Sequence, residues 1–360
     1  MNCSRHLLLF STILLSTPAW CGSGKTTTET IQFRAQSRKY QLFVPKSLPS
    51  TGAVPLLVTL HGSGGSGAGM VEQWKALAAE EQVIVAGPDS RNSASWSVPA
   101  DGPDLLHEIV ERLKRAYPID PRRVYLFGHS AGAIFTLQMS MRESQYFAAA
   151  ALHAGALNPY EAAEALSSAR RQIPIAVFAG MSDRIVPIEA VRGTCAAFRK
   201  GGFPVELIEL PGHDHDYYGN SARINRQVWD FLKQVTLPAE PHYEPYQLVI
   251  PRSPAVASEF LGTWEGTLAA AGRPFQLILK LATDDGGTSA VMFSPDQGAE
   301  IPVSTIEQQG TKLVLMLKSI GGKFRAEISP DGTRLSGRWS ESGIELPLNL
   351  KKRRSAPLRH

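Results

Sequence analysis

The five residues Gly128-His129-Ser130-Ala131-Gly132 constrain this chain more than any other feature. They follow the apolar run Val124-Tyr125-Leu126-Phe127 and open a stretch rich in Ala, Leu and Met, a pattern that reads as strand, tight turn and helix. A serine on such a turn stands clear of the sheet edge, and small residues two before and two after it let a strained backbone close without clashes. The bare five-residue pattern occurs by chance in many chains. Its position between strand and helix is what makes it specific.

The surroundings repeat the same alternation. Short apolar runs bounded by turn residues, at Tyr40–Val44, Pro55–Leu60, Val83–Ala86, Val124–Phe127, Phe147–Leu152, Pro174–Phe178 and Val205–Leu210, predict buried strands. Between them Leu105, Leu106, Ile109, Val110 and Leu113 fall on one helical stripe, as do Ile224, Val228, Phe231, Leu232 and Val235 further on. Strands and helices in alternation predict a mainly parallel sheet covered on both faces. The style changes after Leu237. Pro238, Pro241, Pro245, Pro251 and Pro254 predict a stiff, extended linker. Beyond it period-two runs dominate, at 275–281, 313–317 and 344–350, separated by turn signals such as Asp284-Asp285-Gly286-Gly287 and Pro330-Asp331-Gly332. These predict an antiparallel β-barrel or sandwich. The expected organisation is a leader over 1–22, an α/β unit over 30–237, a linker over 238–255 and a C-terminal β unit over 256–352.

At 43% hydrophobic and 19% charged residues, the 360-residue chain can build packed cores. A formal net charge of +4 without a Lys/Arg stripe interleaved with aromatics excludes a nucleic-acid footprint. The Lys351-Lys352-Arg353-Arg354 run is expected to be a solvated tail. At the N-terminus Arg5 and His6 precede the apolar stretch Leu7–Leu15 and then small residues up to Ala19. This is the pattern of an export signal, too short to span a bilayer core of about 30 Å, with cleavage expected after Ala19 and a secreted or periplasmic destination. A lipid anchor on Cys21 fits less well, because Trp20 directly precedes it. Three cysteines make no disulfide framework, and Cys195, in a helical pattern, is expected as a buried filler. Gly24-Lys25-Thr26 mimics the end of a phosphate-binding loop but lacks a preceding strand.

A serine hydroxyl is a weak nucleophile until a base takes its proton, and the base in turn needs an orienting acid. Asp183 follows the buried run Ile175–Phe178, so it belongs at the same sheet edge as Ser130; Glu189 is the fallback acid. The last strand of the alternation runs into Pro211-Gly212-His213-Asp214-His215-Asp216, and spacing alone leaves His213 and His215 open as the base. For a developing oxyanion, the backbone N–H groups of Ala131 and of Ser63, in the loop Leu60-His61-Gly62-Ser63-Gly64-Gly65, are the expected donors. His61 is expected to prop that loop. His129 and His153 are expected to line an acyl pocket, with Trp96 and Met181 as walls. No metal-ligand spacing and no organic cofactor motif is present. The oligomeric state is not legible.

The order nucleophile, acid, base, each after a strand, resembles the α/β-hydrolase fold. Leu60-His61-Gly62, Pro88-Asp89-Ser90, the run Ile119-Asp120-Pro121-Arg122-Arg123-Val124-Tyr125 and the Gly128–Gly132 turn resemble the exported esterases related to feruloyl esterases and polyhydroxybutyrate depolymerases, over roughly 30–237. Asp214-His215-Asp216-Tyr217-Tyr218 is similar to a run in the related esterase D family whose histidine is the base, which implies His215 rather than His213. The cysteines and the Trp-rich stretch usual in depolymerases of this group are missing here. The C-terminal part, from Gly262-Thr263-Trp264-Glu265-Gly266 to Gly337-Arg338-Trp339, looks like a lipocalin-like β module, of a kind that accompanies exported serine hydrolases. The resemblance implies hydrolysis of small or polymeric carboxylic esters through an acyl-enzyme. A serine peptidase or amidase with the same triad, or a binding protein on an inactive hydrolase fold, are the alternatives.

Overall fold

The computed structural model describes residues 24–270, 272–341 and 343–353, so the leader, its cleavage site and Cys21 lie outside the described residues. The first sheet has eight strands: β1 (Gly24–Phe33), β2 (Gln36–Pro45), β3 (Val54–Leu60), β4 (Ile84–Pro88), β5 (Ile119–His129), β6 (Ala149–His153), β7 (Ile175–Gly180) and β8 (Val205–Leu210). They lie in the order β1-β2-β4-β3-β5-β6-β7-β8, antiparallel from β1 to β4 and parallel from there on. The α/β reading holds, and each predicted strand of that region lies in or overlaps one of these. β1 is an addition. Its Thr-rich exposed face carries no period-two signal, and Gly24-Lys25-Thr26 is an edge strand paired with β2 rather than a phosphate loop.

Helices α1 (Gly67–Glu81), α2 (Pro103–Ala116), α3 (Ala131–Arg142), α4 (Pro159–Ser168), α5 (Ile188–Lys200) and α6 (Ser221–Leu232) cover both faces of the sheet. In β5 Val124 and Leu126 join the core on the α2 and α3 side, while Tyr125 and Phe127 pack with Trp74 of α1 and Trp229 of α6. Both faces of a central strand are therefore apolar, which is why it reads as one continuous run rather than an alternation. Cys195 is buried in α5, and burial pushes its thiol up to about 11.

The second sheet has ten antiparallel strands: β9 (Arg252–Ser253), β10 (Gly262–Ala270), β11 (Arg273–Asp284), β12 (Gly287–Ser294), β13 (Ala299–Pro302), β14 (Thr305–Gln309), β15 (Lys312–Leu317), β16 (Gly322–Ile328), β17 (Arg334–Glu341) and β18 (Ile344–Lys352). It curls into a nearly closed barrel ordered β13-β12-β11-β10-β18-β17-β16-β15-β14, with β9 on β12. Alternate residues point inward, so Trp264, Leu279, Met292, Leu315 and Phe324 form its core. Lys351 and Lys352 do not trail in solvent as expected. They end β18 opposite Glu265 and Trp264, and Arg353 bridges Glu265 at 3.0 Å.

The proline-rich segment forms no helix or strand before β9, yet it is no free spacer. Its aromatic residues anchor it to the α/β unit: the Tyr243 ring stacks on His107 at 3.7 Å, and Tyr246 N–H donates to Asp104 at 2.8 Å. The barrel itself docks through the β12–β13 hairpin. Glu300 N–H donates to Val98 O at 3.0 Å, and Ser97 Oγ donates to Gln297 O at 2.5 Å.

Candidate active site

Ser130 has φ +55° and ψ −118°, a left-handed conformation uncommon for a residue with a side chain. The glycines around it are required by contact. A Cβ on Gly128 would stand 2.2 Å from Gly132 O, and one on Gly132 would stand 2.2 Å from Leu60 O. The backbones of β5, α3 and β3 thus approach too closely for any side chain, and the turn projects Ser130 from the carboxyl end of β5. Ser130 N–H donates to His153 O at 3.0 Å, tying the turn to β6.

Three loops after parallel strands converge here, at the sheet edge where open α/β folds bind their ligands. His215 Nε2 lies 2.9 Å from Ser130 Oγ, and its Nδ1 lies 2.7 Å from Asp183 Oδ2. A carboxylate only accepts, so Nδ1 carries the proton and Nε2 faces the hydroxyl as an acceptor. The loops are stitched together: Ser182 N–H donates to His213 O at 2.9 Å, which sets Asp183 against His215. Asp183 Oδ1 accepts the N–H groups of Ile185 and Val186 at 2.8 and 2.9 Å, leaving Oδ2 for the imidazole. Burial pushes the Asp183 carboxyl up, but these two N–H groups and the His215 ring outweigh it and hold it below the usual carboxylate range. Glu189, by contrast, sits in the first turn of α5 and pairs with Arg192 at 2.5 Å.

The other histidines have different surroundings. His61 is buried, with Nδ1 2.8 Å from Gly62 O and Nε2 accepting from Ser90 N–H at 3.1 Å, so it braces its loop. His129, His153 and His213 form a buried chain: His129 Nδ1 to His153 Nδ1 is 3.0 Å, and His153 Nε2 to His213 Nε2 is 2.8 Å. Burial first, and then the neighbouring imidazoles, hold His153 down at about 2 and His129 at about 4. The expectation that His153 lines an acyl pocket is therefore corrected. It is 0% exposed, because β6 lies between two parallel neighbours and its end is covered by the β8 loop. His129 does line the cleft beside Ser130, next to Tyr218. Met181, 47% exposed, is not a wall of that cleft; the residue that lines it from this loop is Ile185. Trp96 bounds a different chamber. It stacks on Phe135 at 5.1 Å, and its Nε1–H donates to His61 O at 2.8 Å.

In the loop after β3, Gly64 N–H donates to Ser93 O and Gly65 N–H to Gly62 O, at 2.7 and 3.0 Å. Ser63 lies between His61 and these tethers, exposed at the cleft. Ala131 is the first residue of α3, so its N–H has no intrahelical acceptor. Two cavities flank the start of α3, one lined by Ser130 and the other by the next residue, Ala131. The outer cleft, of about 600 Å³, holds Ser130, His215, Ile185 and Tyr218. A chamber of about 750 Å³ lies between α3 and the barrel mouth. Sequence reasoning did not identify the chamber, although Ala131, Ile134, Phe135, Gln138 and Arg142 line it at helical spacing. Among the described residues no cluster of His, Cys, Asp or Glu is arranged to hold a metal ion.

A family model described as "Putative esterase" matches residues 33–231, a span that contains Ser130, Asp183 and His215. Poly(3-hydroxyalkanoate) depolymerase C of Paucimonas lemoignei is 29% identical over 249 residues, covering 63% of this chain and 57% of that protein. The bifunctional acetylxylan esterase/xylanase XynS20E of Neocallimastix patriciarum is 28% identical over 248 residues, covering 59% and 36%. The chain thus spans about half the length, or less, of these curated relatives. The crystal structure of a thermostable esterase superposes with a TM-score of 0.50 at 23% identity, over 59% of this chain and 63% of that one. At that identity the likeness shows the fold.

Proposed function

The chain belongs to the esterase family, and from that premise we propose that it hydrolyses carboxylic esters through an acyl-enzyme on Ser130. The observation that carries the reading is the continuous relay from the Ser130 hydroxyl through both nitrogens of His215 to Asp183, at 2.9 and 2.7 Å. His215 takes the Ser130 proton as Oγ attacks the ester carbonyl, and Asp183 stabilises the imidazolium without accepting the proton. The oxyanion that forms is held by the N–H groups of Ala131 and Ser63, each worth about 3 kcal/mol of barrier. As the tetrahedral intermediate collapses, His215 returns the proton to the leaving alcohol. Water, deprotonated by the same imidazole, then releases the acid and restores Ser130.

The catalytic unit in this reading ends near 237, the strap covers 238–255 and a lipocalin-like barrel covers 256–352. The basic start and the apolar stretch Leu7–Leu15 support an export leader over 1–22 and a secreted or periplasmic destination. Among the described residues no helix is long and apolar enough to cross a membrane. The decisive experiment is labelling with a fluorophosphonate followed by peptide mapping, beside turnover of p-nitrophenyl acetate and of aminoacyl-anilides. Label on Ser130 and turnover of the ester alone is the expected result. Label elsewhere, or faster turnover of the anilides, overturns the esterase reading.

A further inference from the structure

Resting on Ser130 as nucleophile, we propose that the chamber between α3 and the barrel mouth is the acyl site, and that the C-terminal barrel thereby selects neutral aliphatic acyl esters. The argument starts from which side of the ester faces which cavity. His215 must reach the leaving oxygen to protonate it, and His215 lines the outer cleft. The alcohol therefore leaves through that cleft. The acyl carbon, bonded to Ser130 Oγ with its oxygen at the Ala131 N–H, carries its chain away from His215. Ala131 lines the chamber, and His215 does not.

The walls fit an aliphatic chain. From the catalytic unit come Trp96, Ile134 and Phe135; from the barrel come Leu268, Phe275 and Leu277. A chamber of about 750 Å³ far exceeds the needs of an acetyl group and is the size of a pocket for a large organic ligand. Exposed large apolar side chains also gather here: Tyr160 at 43% and Val249 at 78% both border it. Charge excludes acidic acyl groups. Glu161, Glu164, Glu300 and Glu341 line the chamber, and its one guanidinium, Arg142, already bridges Glu164 at 3.3 Å. A carboxylate at the far end of the acyl chain would meet repulsion from these four carboxylates, while the one guanidinium among the described lining residues is already paired.

The test is a series of p-nitrophenyl esters from acetate to decanoate, in which only the acyl chain changes. In the full chain kcat/KM should rise by about fourfold per methylene over the first few carbons that enter the chamber. Ala270→Trp, on the barrel rim, and Gln138→Trp, on α3, narrow the chamber from opposite sides. Each should lower the ratio of decanoate to acetate kcat/KM by about tenfold or more. A ratio unchanged in both variants, or a wild-type profile that falls steadily from acetate, overturns the acyl site. No turnover of any ester by the wild type, or turnover that survives Ser130→Ala, overturns the esterase reading instead.

Discussion

At the carboxyl edge of the parallel sheet His215 lies between a carboxylate and a hydroxyl, whereas His129, His153 and His213 lie deeper and against one another. The two groups are close, with the rings of His129 and His215 5.1 Å apart. They share residue type and sheet edge, but their partners differ. An imidazole acting as a base needs one nitrogen fixed by an acceptor and the other turned to a proton it can take. His215 has both. His153 spends both nitrogens on other imidazoles in a site too buried to admit charge. The first arrangement can drive a reaction, and the second can only hold a fold together. Substitutions in the two groups should therefore fail in different ways.

The largest separation is expected between His215→Ala and His213→Gln, two positions apart on one loop. Removing the nucleophile or base of a serine triad costs on the order of 10⁶ in kcat. Ser130→Ala and His215→Ala should each fall by about that factor in ester turnover, while His213→Gln should keep kcat within about tenfold and lose thermal stability instead. A His213 variant as inactive as the His215 variant, yet folded, would erase the distinction. Next in size, Asp183→Asn leaves the shape intact but favours the wrong tautomer of His215, at a cost of about 10⁴ in kcat. Only a small fall there, with Glu189→Gln doing more, would move the acid to α5.

How much of this could be read from the chain depends on how local each feature is. The turn at Ser130 and the strands Val124–Phe127 and Ile175–Phe178 carry their signals within a few residues, so the sheet and the strand–turn–helix at Ser130 were legible. The barrel strands at 275–281 and 313–317 were legible from period-two alternation. The pairing of Asp183 with His215 was legible only as chain order, since the contact that sets it, Ser182 N–H to His213 O, joins two separate loops. His153 was misjudged because position at the end of a strand is local while burial under the next loop is not. The docking of Pro295–Glu300 on Ser97 and Val98, two hundred residues away in sequence, left no mark in either segment, so the chamber it encloses was invisible.

Acid stability should report on the buried histidines as rate reports on the rim. His129 and His153 are held at about 4 and about 2, against an ordinary value of 6.5. Between pH 6.5 and 4 the unfolded chain binds protons that these folded imidazoles refuse, so stability is fully present above 6.5 and falls as pH falls. At about 1.4 kcal/mol per pH unit, His129 alone accounts for on the order of 3 kcal/mol by pH 4. Glu143 acts in the opposite sense. Burial raises its carboxyl to about 7, so it adds stability as pH falls from 7 to 4.5. Two imidazoles outweigh one carboxyl, and the urea midpoint should drop between pH 7 and 5, equally in the wild type and in Ser130→Ala. A midpoint that holds or rises across that range would show that the buried chain accepts charge.

The smallest expected effect falls on the seam between catalysis and packing. Trp96 touches no reacting atom; its Nε1–H donates to His61 O, two residues before the Ser63 N–H. Trp96→Phe keeps an aromatic ring against Phe135 and His61, at 5.1 and 4.8 Å in the native stack, and removes the donor together with part of the indole's area. A lost hydrogen bond of this kind is worth about 1 kcal/mol, or roughly fivefold. For p-nitrophenyl acetate, whose acyl group is too short to fill the chamber that Trp96 helps to wall, the loss should sit in kcat with KM unchanged, because the loop meets negative charge only in the transition state. A rise in KM for the acetate at constant kcat would instead mean that Trp96 holds even the shortest acyl group. An unchanged kcat would mean that the tethers through Gly64 and Gly65 hold the loop by themselves.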